Sequence, residues 1–488
     1  MKTITTLLLL TLLSLGARGD NAPFRIMEGL FDATMKETMG LSRIDGAETV
    51  TVFSASEGTD HYANGVVMAA YKGVLYCMWQ SSAKDEDSDD TWVAYSRSED
   101  EGRTWSSPMV LCPTIANGYC ASGGWLSTPD RLIGYINVRT KSIANNGGYT
   151  QYVESTDGLS WTAPKDVTMA DGSQLNGIFE QDPHTLPDGR IIGAAHFQPG
   201  LKLCPIYTDD PTGRTGWRKG QFTHTDNGTQ SAELEPSFFL QGDGTIVMVM
   251  RDQKGSYRTL ASVSKDRGES WTKAVKTTMP DSRAKQCAGN LPDGTAFLVN
   301  NPGRVTNSSN TTWRVPLALT LSNDGTVFTR SYLLRSGENG DYPARRYEGK
   351  AKTLGYSYPK AMHHGGYLYV SYATNKDDAQ YTRVPLTAIS LNASGIANVN
   401  VNGNGNFNGN VNGNGNVNGN GNGNVNGGQR PLTPSNLRGG VNNGEANDNA
   451  NGNVNGNDNT NAYNLSGQRV APNYKGLVII NGRKVLKK

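Results

Sequence analysis

One short device recurs along this chain and limits what it can fold into. Residues 98–105 read Ser98-Glu99-Asp100-Glu101-Gly102-Arg103-Thr104-Trp105, and Ser264-Lys265-Asp266-Arg267-Gly268-Glu269-Ser270-Trp271 repeats the pattern with Ser for Thr. Shortened copies stand at Ser155-Thr156-Asp157-Gly158-Leu159-Ser160-Trp161 and Ser322-Asn323-Asp324-Gly325-Thr326-Val327-Phe328. Weaker echoes occur at Thr208-Asp209-Asp210…Gly213…Trp217 and at Thr374-Asn375-Lys376-Asp377. The starts, at 98, 155, 208, 264, 322 and 374, lie 57, 53, 56, 58 and 52 residues apart. A period of that size demands one supersecondary unit per repeat. Each copy has the chemistry of a hairpin turn: the Asp accepts bonds from turn amides, the Gly supplies an unusual φ, and the aromatic residue pins the turn to its sheet.

The repeat resembles the Asp-box of the sialidase superfamily, where it joins the third and fourth strands of propeller blades. That resemblance makes the boxes structural rather than catalytic. From Thr49 the pattern between boxes is all-β, with short apolar strands separated by Gly or Asp-Gly turns at hairpin spacing, such as Val66–Tyr71, Lys72-Gly73 and Val74–Trp79. The expected fold is therefore an all-β, sialidase-like β-propeller. Six boxes suggest six blades over about residues 45–390, with seven left open because a blade can lack a box. A strand near Thr49–Ser54 is expected to close the ring. Closure removes exposed sheet edges and leaves an axial mouth where loops from every blade converge, so function is expected there. Phe24-Arg25-Ile26 is similar to the Phe-Arg-Ile-Pro of sialidases, but Met27 replaces the proline and no apolar strand follows, so the likeness is read as coincidence.

The ends are different material. Lys2, the apolar run Leu7–Leu13 and Ala17-Arg18-Gly19 read as a secretory signal over residues 1–19, too short to span a bilayer as a helix. Residues 20–45 form a lead-in, 46–392 the propeller, and 393–462 an Asn/Gly-rich linker with almost nothing to bury. Residues 463–488 regain strand pattern and resemble the C-terminal sorting tail of Bacteroidetes proteins exported by the type IX system. The expected location is secreted or cell-surface, with the type IX machinery as a partner and a monomeric state. The formal net charge of +2 gives no reason to propose nucleic acid. The five cysteines lack metal-ligand spacing; Cys112 and Cys120 could pair, but buried small residues are the default. No phosphate-binding Gly loop, zinc-helix motif or serine elbow is present in the sequence, so no metal or cofactor is expected.

The resemblance to sialidases covers most of residues 60–390. In that family a tyrosine is the nucleophile, a glutamate activates it, an aspartate is the acid/base and three arginines clamp a substrate carboxylate. Glu235-Pro236-Ser237-Phe238-Phe239…Met250-Arg251 looks like the strand pair carrying the activating Glu235 and the clamp residue Arg251. Arg314, before Leu317–Ser322, resembles the third clamp arginine, with Arg304 competing. In Gly355-Tyr356-Ser357-Tyr358-Pro359 the spacing to the next turn favours Tyr358 as nucleophile, while Tyr356 fits the local wording and is held as a substrate-side residue. Asp87, in an acidic loop ahead of the first box, takes the acid/base role.

The pattern departs at the first clamp position, where His61-Tyr62-Ala63-Asn64-Gly65 holds no arginine. A histidine there resembles propellers that act on uronic-acid-linked sugars, in which His61 would be a general base and His184 would face the same mouth. The leading expectation is an exo-acting hydrolase releasing a terminal sialic acid or related acidic sugar from glycans. The alternatives are a His-dependent lyase or glycosidase on uronic-acid polysaccharide, and a non-catalytic glycan-binding propeller.

Overall fold

Strand residues alternate so that each sheet feeds two cores. In the strand Tyr62–Tyr71, Val67, Ala69 and Tyr71 pack with Trp125, Leu132 and Ile136 of the next sheet, while Val66, Met68 and Ala70 pack with Tyr369, Ala373 and Tyr381 of the previous one. Period-two alternation with both faces apolar is what sheets stacked face to face around an axis require. The computed structural model describes residues 22–390 apart from 144–146, 304–312 and 338–343, together with four short strands after residue 461.

Six antiparallel blades result. Blade 1 is Tyr62–Tyr71, Val74–Ser82, Trp92–Ser98 and Met109–Cys112; blade 2 is Gly118–Ser127, Leu132–Thr140, Tyr149–Ser155 and Lys165–Asp166. Blade 3 has a first strand broken into Gly177–Phe179 and His184–Thr185, then Ile191–Phe197, Lys202–Thr208 and Arg218–Lys219. Blade 4 is Glu233–Leu240, Ile246–Asp252, Arg258–Ser264 and Val275–Pro280; blade 5 is Cys287–Asn290, Ala296–Asn300, Leu317–Ser322 and Arg330–Arg335. Blade 6 takes Tyr356–His364, Tyr367–Thr374 and Asp378–Pro385 from the end of the ring and Glu48–Phe53 from its beginning. That N-terminal strand closes the ring through the pairs Thr49↔Thr382 and Val50↔Tyr381.

Because the blades are antiparallel, their two ends differ. One end carries the connections from first to second strand and the third-to-fourth turns, where the boxes sit. In the first box Ser98 Oγ donates to Asp100 (2.7 Å), the Gly102 amide donates to Ser98 Oγ (2.8 Å), and the Thr104 amide donates to Asp100 (2.9 Å). Ser264, Asp266, Gly268 and Ser270 reproduce these bonds in blade 4. Box glycines also abut the preceding blade. Tyr381 donates to the Gly102 carbonyl (2.6 Å), Tyr135 donates to that of Gly213 (2.8 Å), and Tyr76 packs on Gly158.

The sixth echo is not a box. Thr374–Asp377 is a tight turn between the second and third strands of blade 6, with Asn375 and Lys376 both at φ 56°, and it lies at the opposite end of the ring. Blade 6 has no third-to-fourth turn because its fourth strand comes from residues 48–53. The blade count stands at six although only five of the six echoes are boxes.

In the lead-in, Arg25–Ile26 runs parallel to Val327–Phe328 beside the blade 5 box, and Phe24 is buried against Phe239 and Phe328, far from any clamp position. All five cysteines are free thiols. The signal segment and the linker read from the sequence lie outside the described residues, apart from the linker's final residue, Ala462. Beyond it, Arg469–Val470, Ala462–Asn464, Gly476–Ile480 and Arg483–Lys487 form a four-stranded antiparallel sheet in that order.

Candidate active site

The other end of the ring is the mouth, built from the starts of the first strands and the loops from second to third strand. First strands of neighbouring blades lie beside one another around most of the ring and so line the axis. In blades 1, 4 and 6 the first strand enters through the same two-residue bulge. Pairing jumps from Asn64 to Val67, from Leu234 to Ser237 and from Ser357 to Lys360. The first residue of each bulge is left-handed: Gly65 at φ 59°, Glu235 at 55° and Tyr358 at 57°. Glycine accepts this freely, whereas a glutamate and a tyrosine each cost about 1 kcal/mol or more, and the following Pro236 and Pro359 restrict them further. Bulges of this kind re-aim side chains.

Tyr358 is aimed at a collar of cations. The Arg314 guanidinium, the Lys285 ammonium and the Lys376 ammonium lie 4.5, 4.8 and 5.2 Å from its ring centroid. Glu235 holds Arg251 at 3.1 Å, and its amide donates to His196 Nε2 (3.2 Å), which places the imidazole proton on Nδ1, 3.5 Å from Glu180. Burial works against the charge on Arg251, but Glu235 and then Tyr358 beside it keep the guanidinium charged. Lys285 pairs with Glu180 (2.7 Å) and also feels Glu235 and Tyr358. Arg251 Nε and Arg314 Nη1 are buried with no hydrogen-bond partner among the described residues. Unmet donors beside an open mouth suit an anionic ligand with planar oxygens.

Two adjacent carboxyls in the blade 1 loop are driven apart. Burial pushes the Asp87 carboxyl up; Arg139 opposes this and Glu86 adds to it, while Tyr119 and Gln80 bond to it. Burial would raise Glu86 as well, but Lys376 at 2.8 Å, with the Tyr62 hydroxyl at 2.7 Å, holds it below the ordinary range. One carboxyl is thus kept protonated to higher pH and its neighbour kept ionised, the separation that acid/base work needs. A third, Asp281, is pushed by burial up to about 7 beside Arg251 and Arg314.

A family model described as a BNR repeat-like domain matches residues 73–370. The chain belongs to the BNR repeat-like family. A sialidase of Bacteroides fragilis (strain YCH46) is 23% identical over 313 residues, covering 56% of this chain and 54% of that protein, so the chain spans about half the length of the curated relative it matches. Among solved structures, a sialidase superposes with a TM-score of 0.54 at 20% identity, over 75% of this chain and 35% of that one. A mutant of Trypanosoma rangeli sialidase displaying trans-sialidase activity gives 0.53 at 14% identity, over 73% and 61%. This BNR protein thus has the sialidase-superfamily propeller fold.

Within this BNR propeller, Tyr358, Glu235, Arg251, Arg314 and Asp87 come together at one mouth. Tyr356 does not join them: it is fully buried, its hydroxyl donates to the Ser336 carbonyl (2.7 Å), and Arg335 covers its ring at 4.7 Å. The bulge after Ser357 separates the two tyrosines. His184 also lies elsewhere. It pairs with Ile192 near the low end of its strand, packs on Phe238 at 5.6 Å, and is pushed by burial down to about 4. His61 sits at the rim between blades 6 and 1, its ring stacked on Tyr347 at 3.8 Å and its Nε2 3.1 Å from the Ser56 carbonyl. Arg304 lies outside the described residues.

The sequence reading missed Glu86, Arg139, Glu180, His196, Asp281, Lys285 and Lys376. A topological signal existed for some of them. Arg139, His196 and Arg251 all lie in the last two positions of a second strand, which always delivers its end to the mouth.

Proposed function

We propose that this protein is an exo-acting glycosidase of the sialidase type that releases a terminal sialic acid or related acidic sugar from glycans. The observation that carries the reading is the convergence of Tyr358, Glu235, Arg251, Arg314 and a proton-retaining Asp87 at one mouth. Arg251 and Arg314 meet the substrate carboxylate. Tyr358 Oη attacks the anomeric carbon, its proton passing to Glu235, while Asp87 gives its proton to the departing glycosidic oxygen. Asp87 then takes a proton from the water that displaces Tyr358, and Glu235 returns the tyrosine's proton. Tyrosine nucleophiles are among the exceptions to the two-carboxylate scheme of glycosidases.

Turnover of a fluorogenic sialoside by the full chain, beside Tyr358→Phe, tests this. Loss of about 10³-fold or more in Tyr358→Phe, with the fold unchanged, supports it. Equal activity in both proteins, or none in a folded wild type, overturns it. An ultraviolet-absorbing unsaturated product from a uronate polymer would move the assignment to a lyase, and retention of glycan without turnover would move it to a binding propeller. The stacked, carbonyl-bound setting of His61 offers no support for the lyase. Export through a type IX route is part of the proposal, and detection of the protein in the medium or on the cell surface tests it.

A further inference from the structure

A groove of about 850 Å³ opens beside the mouth along blade 4, lined among others by Thr225, Glu233, Asp252, Lys254, Ser256 and Lys276. Its volume is within the range of ligand sites. Strand register fixes its place. Glu233 pairs with Asp252, while Leu234 pairs with Arg251, so successive residues alternate between faces of the same strand pair. Met248 and Met250, in step with Asp252, pack in the core shared with blade 3. Val247 and Val249, in step with Arg251, pack in the core shared with blade 5. The groove is thus the blade 3 side of the hairpin whose other side holds the clamp arginine.

Its chemistry differs from the mouth. Two buried carboxylates, Glu233 and Asp252, and two exposed ammonium groups, Lys254 and Lys276, line it, so the lining is balanced in charge and does not select an ion. The carboxylates are fixed in place. Glu233 accepts the Thr225 amide (2.9 Å), and Asp252 accepts the amides of Lys254 (2.9 Å) and Ser256 (3.0 Å). The Ser256 Oγ is buried and has no hydrogen-bond partner among the described residues. Carboxylates and ammoniums on rigid backbone match a neutral ligand dense in hydroxyl groups, each of which both donates and accepts.

We propose that this groove is a second carbohydrate seat, holding a neutral arm of the same glycan whose acidic sugar enters the mouth. The inference rests on the glycan-directed reading of the mouth, but it takes its own test. Asp87 comes from blade 1 and the groove from blade 4, so the seat takes a branch that folds back across the ring rather than the sugar next to the scissile bond. It therefore contributes to binding the glycan rather than to bond breaking.

The test is ligand-detected saturation-transfer NMR on the full chain with lactose, N-acetyllactosamine and a mannose trisaccharide as probes. Wild type and Tyr358→Phe are expected to give equal transfer for at least one probe, and Ser256→Trp, which fills the groove, to abolish it. The double variant Lys254→Ala/Lys276→Ala, confined to exposed side chains, is expected to weaken the same signal about tenfold and serves if Ser256→Trp does not fold. No transfer from any probe to wild type, or transfer unchanged in both groove variants, overturns the proposal. Sialoside turnover is read separately, so absent turnover with intact groove binding sinks the reading of the mouth and leaves the groove.

Discussion

At the box end of the ring Asp266 accepts the Ser270 amide and the Ser264 hydroxyl, Gly268 supplies a φ of 90°, and Trp271 Nε1 donates back to the Gly268 carbonyl at 3.0 Å. At the mouth, a glutamate and a tyrosine hold left-handed φ values ahead of prolines, and Arg251 Nε, Arg314 Nη1 and Asp281 Oδ1 are buried without a partner among the described residues. In the Ser264–Trp271 box the polar groups bond to one another, and the left-handed residues, Arg267 and Gly268, carry no functional side chain. The mouth gives the unusual φ to functional side chains and leaves capacity over. The same blades thus carry both a stabilising face and a face whose unmet groups await a ligand. Uncompensated polar groups cost stability and are retained where a ligand or reaction uses them.

The comparison breaks most visibly at Asp87. Asp87→Asn is expected to lower kcat by about 10²–10⁴-fold, with little change in thermal midpoint. Because the protonated carboxyl acts, wild-type activity falls as pH rises through its raised pKa, and this alkaline limb disappears from the residual activity of the variant. A glycosidase pH profile checks both.

At the box end the expectation reverses. Gly158→Ala drives a Cβ at φ 73° into the Tyr76 hydroxyl of blade 1 and is expected to cost about 2–4 kcal/mol in denaturant unfolding, with kcat/KM unchanged in the folded protein. Activity lost in proportion to nothing but unfolding would sharpen the division between ends.

Lys376→Met probes a mouth residue that also holds the ring together. It removes the cation from a largely buried Glu86 and is expected to destabilise by about 2–3 kcal/mol while also slowing turnover, since Glu86 adjoins Asp87. A variant that loses activity at full stability would show that Lys376 belongs to the mouth alone.

The last probe, Asp281, is read in stability against pH. Its folded pKa of about 7 exceeds the unfolded value near 4. Between those limits the folded state keeps a proton that the unfolded chain has released, so stability falls as pH rises from about 4 to 7 and is level above. Asp281→Asn is expected to remove this slope, up to about 4 kcal/mol for a pKa raised by about three at about 1.4 kcal/mol per pH unit, in thermal melts across that window.

The architecture was legible in the sequence because its signals are local. The Ser-x-Asp-x-Gly turn and the alternation in Tyr62–Tyr71 each lie within ten residues, and period alone gave the count even though Thr374–Asp377 proved to be a different turn at the other end. The pair Glu235 and Arg251 was legible for the same reason, one hairpin holding both. What could not be read is what the ring brings together from far apart. Glu86 meets Lys376 across 290 positions, and Lys285 meets Glu180 across 105. The separate fates of Tyr356 and Tyr358 turn on a bulge, which leaves no mark on an apolar-polar pattern beyond the proline after it.

The closing strand Glu48–Phe53 has a consequence for the order of events in synthesis. It leaves the ribosome first among the blade strands, yet its partner, Asp378–Pro385, is more than 300 residues behind. At about 5–20 residues per second that interval is on the order of 15–60 s. Through all of it, five blades can stack in sequence while one strand waits with its hydrogen-bonding edge bare, as the latch of a clasp hangs open until the last link arrives. The chain is therefore most open to wrong pairing at its beginning, and the ring can close only once Asp378–Pro385 is available.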